Sequence, residues 1–178
     1  MKILIIILSI IGGIVALVLI TAAFVKKEYT VEREILIDKP VQTVFDYVRM
    51  LKNQENYSVW VMQDPNQKTT LTGVDGTKGA IFSWNGDDQA GEGEQEIKDI
   101  AEGQKIEQEI RFKRPFKGLA QAIITTEPAS ENQTKVKWSF SSAMPYPINI
   151  MSLIFNIEGK LGGDMEKNLS NLKSVLEK

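Results

Sequence analysis

Gln95 and Gln108 are the residues whose type and spacing point most directly to recognition chemistry. Each lies in an alternating stretch and shares a face with apolar neighbours, Ile97 for the first and Ile106, Ile110 and Phe112 for the second. Two primary amides on adjacent stretches would present donors and acceptors to one polar head group; the alternative is that they bond each other or a buried water. The carboxylates are placed differently. Glu92, Glu94, Glu96, Glu107 and Glu109 fall on the opposite face of the same stretches, where they cannot act as acid or base on an enclosed substrate. Asp64 and Tyr57 lie in an irregular stretch, so no catalytic residue is assigned. The chain contains no His and no Cys. That removes most zinc, copper and iron–sulfur sites, Ser–His and Cys–His nucleophile pairs, and any disulfide. No Gly-rich phosphate loop or EF-hand spacing occurs, and neither a metal nor a cofactor is expected.

The elements that must position the two glutamines follow from hydrophobic periodicity. Thr30–Ile37 reads as a strand with Val31, Ile35 and Ile37 on one face. Asp38-Lys39-Pro40 carries helix-start signals, and Val41, Val44, Phe45 and Val48 follow at helical spacing. Asn53–Gln67 is irregular. Six alternating segments bounded by turn residues come next, namely Lys68–Thr72, Ala80–Asn85, Gly91–Ile100, Lys105–Lys113, Leu119–Glu127 and Lys135–Ser141. Their close spacing predicts an antiparallel meander. Placing Ile100 opposite Lys105 sets Lys98 against Glu107 and Glu94 against Arg111, both favourable pairs, with a like-charge conflict between Glu96 and Glu109. The other face is apolar and aromatic, with Ala80, Phe82 and Trp84 on one strand and Val136, Trp138 and Phe140 on the last.

From about Ile148 to the end the pattern predicts a long helix, with Leu161, Met165, Leu169, Leu172 and Leu176 as its stripe. Gly159, Gly162 and Gly163 sit within it at a cost of about 1 kcal/mol each against Ala. Close approach to the sheet, space beneath the helix or a kink would explain them; a loop between two helices is the alternative.

Ile3 to Val25 is an unbroken, uncharged apolar run. As a helix it reaches roughly 35 Å, enough for a hydrocarbon core of about 30 Å. The expected organisation is therefore a transmembrane anchor with its flank, residues 1–27, and a second unit, residues 28–178. A signal peptide cleaved near Thr21-Ala22-Ala23 competes with this reading, although signal apolar regions are shorter, about 7–15 residues. Lys26, Lys27 and Arg33 against Lys2 lean toward a cytoplasmic second unit in a single-pass membrane protein. Ser9/Gly13 and Gly12/Ala16 have the spacing of packed transmembrane helices, or simply reflect how common Gly is there. The net charge is −2, and leaving out Lys2, Lys26 and Lys27 makes it −5 for residues 28–178. Nothing in that charge suits nucleic acid or an anionic lipid surface.

The order of these elements, with its local motifs, resembles the START-like, or polyketide cyclase/dehydrase, superfamily (SRPBCC). The motifs are Trp60 with Asp64-Pro65, Gly79-Ala80 with Ser83-Trp84, Gly91-Glu92-Gly93, and Lys113-Arg114-Pro115-Phe116. They continue through Thr134-Lys135-Val136-Lys137-Trp138 and Gly163-Asp164-Met165-Glu166-Lys167-Asn168-Leu169 with Asn171-Leu172-Lys173. The resemblance spans roughly residues 30–178, on a branch without a known role. It implies an α+β helix-grip fold of the START/Bet v 1 type, a curved antiparallel sheet around a long C-terminal helix, here preceded by one transmembrane helix. It also implies a hydrophobic-ligand pocket between sheet and helix. The candidate ligand-binding residues are Trp60, Phe82, Trp84, Gln95, Ile97, Gln108, Ile110, Phe112, Trp138 and Phe140, with Leu161 and Met165 as lid; each could instead fill a core.

The expected function is binding of a hydrophobic small molecule or lipid close to a membrane. Lys26–Tyr29 spans no more than roughly 14 Å, and the apolar stretch Ile148–Phe155 would border the mouth. A cyclase- or dehydratase-type enzyme using the same cavity is one alternative, and needs a buried acid or base. A protein-interaction or stress-response module is the other, and needs an exposed apolar patch near Trp60 or Pro145-Tyr146-Pro147.

Overall fold

The computed structural model describes residues 2–178. Seven antiparallel strands form one sheet in the order β1-β7-β6-β5-β4-β3-β2. They are β1 (Glu28–Ile37), β2 (Lys68–Thr72), β3 (Ile81–Asn85), β4 (Glu92–Ala101), β5 (Lys105–Arg114), β6 (Gly118–Ser130) and β7 (Gln133–Ala143). The helices are α1 (Lys2–Phe24), α2 (Val41–Val48), α3 (Val59–Met62), α4 (Met151–Ile154) and α5 (Ile157–Leu176), with 3-10 turns at Leu51–Asn56 and Ile148–Ile150. The expected α+β helix-grip architecture is the one found. Period-2 alternation gives the strands one inward face, fully buried along much of β4 to β7 and only half-buried on β2, and α5 lies across that face.

The stretch expected to be irregular holds a 3-10 turn and α3. The long terminal helix is interrupted. Asn156 takes a left-handed backbone conformation, φ 42°, and its side chain accepts from the Gly159 amide, so it caps α5 and separates it from α4. Two of the three glycines then have reasons. A Cβ at Gly159 would strike the Asn156 cap, and one at Gly162 would strike the Arg33 guanidinium, which rises from β1 and pairs with Glu166 at 2.6 Å. Gly163 faces open space.

The β4–β5 register agrees with expectation from Gly93 to Ile97, with Glu94 opposite Arg111 and Glu96 opposite Glu109. Beyond that it differs by one residue. Ile100 faces Ile106, Ala101 faces Lys105, and a bulge falls at Lys98. The turn closes with three residues around Gly103 (φ 70°), one fewer than expected, and the bulge absorbs the difference without inverting the buried face. Lys98 therefore pairs with Glu96, not Glu107. The Glu96–Glu109 conflict is relieved because Arg111 donates to both, and to Glu94 as well. This network holds the Arg111 guanidinium pKa above its usual range. It holds both glutamates below theirs, Glu94 chiefly through Lys113 and Glu96 chiefly through Arg111.

The registers bring one set of strand ends together. Glu28 pairs Ala143, Ser142 pairs Ala120, Gly118 pairs Phe112, Arg114 pairs Glu92, and Asn85 pairs both Glu92 and Lys68. Since α1, expected from the sequence to be an anchor, leads into Glu28, this end of the sheet is termed the anchor end. The opposite end holds the densest core: Ile37, Val44, Phe45, Val48, Leu51, Ile106, Val136, Leu169 and Leu172 are all fully buried there, beneath the last turns of α5.

Only Val25–Lys27 separate α1 from β1. The last turn of α1 is held from the other side by the 3-10 turn. Buried Asn149 donates from Nδ2 to the Ala22 carbonyl at 2.7 Å and to the Val25 carbonyl at 2.9 Å, satisfying acceptors that a helix end leaves free. The Met144 amide donates to the Lys27 carbonyl at 2.7 Å.

Candidate functional site

Trp84 comes from β3 and lies opposite Gly93. The lack of a side chain there is required, since a Cβ at Gly93 would sit 2.5 Å from the indole ring. The indole thus lies across β4, donates to the Ala90 carbonyl and meets Phe112 edge-on at 6.1 Å. Trp60 comes from α3 and meets Trp138 of β7 edge-on at 5.7 Å. The α3 segment, Val59–Met62, packs Trp60 and Val61 against the core and is also tied to α5 by hydrogen bonds. Trp60 Nε1 donates to Asp164, the Val59 amide to Asn168 Oδ1, and Asn171 Nδ2 to the Tyr57 carbonyl. The three acceptors and donors on α5 follow each other at helical spacing and form one polar stripe.

These aromatics wall a cavity of about 310 Å³ between the sheet and α3/α5. Trp60, Phe82, Trp84, Gln95, Ile110, Phe112, Trp138, Phe140 and Leu161 line it, nine of the residues singled out from the sequence. Ile97, Gln108 and Met165 do not. They are buried behind the wall, Ile97 and Met165 with no exposed surface at all. Periodicity identifies the face a residue shares but not how far along the strand the cavity reaches.

The two glutamines bond each other, Gln95 Nε2 donating to Gln108 Oε1 at 2.7 Å. Gln95 reaches the cavity and Gln108 backs it. Four buried polar atoms of this neighbourhood have no hydrogen-bond partner among the described residues: Gln108 Nε2, Trp138 Nε1, Ser58 Oγ and Gln67 Oε1. Native proteins rarely leave such atoms unpaired, and three of the four, on Trp138, Ser58 and Gln67, belong to residues that line the cavity.

Further lining residues escaped the sequence reading. Gln54, Ser58, Val61, Gln63 and Gln67 come from the irregular stretch, Gln89 and Ala90 from the β3–β4 connection, and Arg114 and Pro115 from the end of β5. Loops have no period, and only the recurrence of glutamine there offered a signal. Gln63, Gln89, Arg114 and Pro115 are exposed and form the mouth, which therefore lies at the anchor end of the sheet. Arg114 is held at the rim, donating to Asn85 Oδ1 and the Gly86 carbonyl. It is the one charged residue among the described lining residues. Asp64 instead accepts from the Asn66 and Asp87 amides, and Tyr57 is fully buried away from the cavity, its phenol pKa raised by burial. The wall offers amides, a hydroxyl, an indole N–H and aromatic faces, a set that can hold and orient a neutral molecule.

Solved structures share this architecture. Truncated norcoclaurine synthase from Thalictrum flavum superposes with a TM-score of 0.63 at 10% identity, over 85% of this chain and 95% of its own. The same enzyme in complex with dopamine and hydroxybenzaldehyde gives 0.61 at 13% identity, over 85% and 88%. XoxI from Bacillus cereus gives 0.61 at 12% identity, over 83% and 94%. At such identities the likeness establishes the Bet v 1-like helix-grip fold alone. No curated protein sequence matches the chain. The family model described as polyketide cyclase/dehydrase and lipid transport matches residues 28–177, nearly everything after α1, and the chain therefore belongs to that family.

Proposed function

We propose that the protein is a membrane-anchored binding protein for a neutral, largely apolar small molecule that carries one or two hydrogen-bonding groups. The observation that carries this reading is the cavity itself, with aromatic walls, unpartnered buried polar atoms and no charged liner except Arg114 at its rim. An ionised guest would lose its hydration without finding a counter-charge inside, which is costly. A neutral guest with a carbonyl or hydroxyl would accept from Trp138 Nε1 or donate to Gln67 Oε1. The volume lies near the lower end of ligand pockets, about 300–1,000 Å³, and suits a ring system or one isoprenoid-like chain better than a two-chain lipid.

Two features support a retained anchor as the source of that guest. Helix α1 is long and apolar enough to cross a membrane. Cleavage after Ala23 would remove one of the two carbonyls, that of Ala22, to which buried Asn149 donates. The neighbour solved in complex with dopamine and hydroxybenzaldehyde indicates that a protein of this fold can bind small aromatic molecules.

Native mass spectrometry of the full chain, extracted gently from membranes, tests the reading. A stoichiometric neutral adduct is expected, and Trp138→Phe should weaken its retention while the chain stays folded. A protein that carries no adduct and takes up no apolar probe would overturn it.

A further inference from the structure

The exposed apolar side chains after α1 are not scattered. Phe116 and Leu119 stand on the β5–β6 hairpin, and Ile148, Leu153, Ile154 and Phe155 on the segment through α4, each more than half exposed. Both groups lie at the end of the sheet where β1 begins, because Gly118 pairs Phe112 and Ala143 pairs Glu28. The far end shows only Val74 and Leu36. Exposed apolar clusters of this kind mark contact surfaces.

The covering partner is set by what adjoins the cluster. Asn149 fastens the segment before α4 to the last turn of α1, and Leu153 shares a groove with Phe24, the last and 87% exposed residue of the helix. Ile20 and Phe24 of α1 and Leu153 and Ile157 of the α4–α5 region line one shared groove of about 710 Å³. Where α1 is surrounded by lipid, that groove and its rim adjoin the same lipid.

We infer that the anchor end of the sheet is a bilayer-docking surface. The hairpin tip and the α4 segment lay apolar side chains about 5–10 Å into the leaflet that α1 leaves. Pro115, next to Phe116 on the hairpin, is one of the exposed residues of the cavity mouth, so the mouth adjoins this contact, with polar Gln63, Gln89 and Arg114 of its rim at headgroup level. A guest would then pass from bilayer to cavity without crossing water. This rests on the retained anchor proposed above. It also explains how a net-acidic unit stays on a membrane, since the contact is made by apolar area and not by charge.

The absence of native cysteine makes the test direct. Full-length Phe116→Cys, Leu153→Cys and Val74→Cys variants, all at exposed positions, are labelled with a fluorophore and reconstituted into phosphatidylcholine vesicles containing lipid with a shallow spin label. Labels at 116 and 153 should lose most of their emission, and the label at 74 should keep its own. Equal response at all three positions would overturn docking. So would shielding of 116 and 153 in native membranes but not in pure lipid, which would assign the surface to a protein partner. Alkaline carbonate washing separates the two readings. A chain washed off the vesicles refutes the anchor, whereas one that stays embedded with unquenched labels refutes docking alone.

Discussion

The two ends of the sheet are built from the same kind of strand and solve opposite problems. At the far end, α2, β1, β7 and the last turns of α5 bury aliphatic and aromatic side chains almost completely; Phe45, Val44, Ile37 and Leu172 are examples. At the anchor end, larger aromatics meet edge to edge, leave about 310 Å³ between them and keep polar atoms unpaired. Apolar area stabilises both ends, but only the far end combines it with close packing. The hollow end is held by directional bonds instead, from the α5 polar stripe to the α3 backbone.

The contrast breaks first at Phe45. Phe45→Ala should destabilise the protein by about 3–5 kcal/mol, because the void cannot collapse within so packed a setting. Chemical denaturation of the detergent-solubilised chain measures it, and a cost under about 1 kcal/mol would mean that the far end is not the stabilising half. At the hollow end, Leu161→Trp fills the cavity from its wall. Probe affinity should fall about tenfold or more, equivalent to about 1.4 kcal/mol, while the unfolding free energy moves by no more than about 0.5 kcal/mol. Equal losses in both would erase the distinction. At the seam between the ends, Gly162→Ala displaces the flexible end of the Arg33 side chain and disturbs its pairing with Glu166. That loss is offset by the roughly 1 kcal/mol that Ala gains over Gly in a helix. The net change should stay within about 1 kcal/mol, and in an Arg33→Ala background the same substitution should be stabilising.

The smallest effect belongs to the outer face of β4 and β5. Glu94 and Glu96 are held below the ordinary carboxylate range in the folded state. Their contribution is present above that range and is lost as pH falls through the lowered folded values. Because these groups face solvent, Glu94→Gln should change stability at neutral pH by about 0.2–1 kcal/mol and flatten the acid limb of the stability curve. An unchanged acid limb would show the network to be neutral.

Much of this was legible in the sequence where a period existed. Alternation located every strand and assigned Phe82, Trp84, Ile110, Phe112, Trp138 and Phe140 to the buried face. It set the β4–β5 register as far as Ile97. It failed at Lys98, because one extra residue in a strand and one fewer in the turn cancel in the pattern. It also joined α4 to α5, since an apolar run gives no warning of a left-handed Asn156. The mouth was least legible: Gln63, Gln89 and Arg114 are brought to the cavity by tertiary contacts between loops. Gln108, Ile97 and Met165 were placed on the correct face and one layer too near the cavity.

The position of β1 at the sheet edge has a consequence for biogenesis. Its one neighbour in the sheet is β7, and their mutual contact Thr30–Ser141 joins residues 111 apart in sequence. At synthesis rates of about 5–20 residues per second, roughly 5–20 s separate the emergence of the two strands. The apolar segment and β1 leave the ribosome well ahead of β7. For that interval β1 waits with both backbone edges unpaired, a state open to chaperones and to wrong strand partners. A destabilising change in β7 would therefore prolong a vulnerable nascent stage as well as weaken the finished protein.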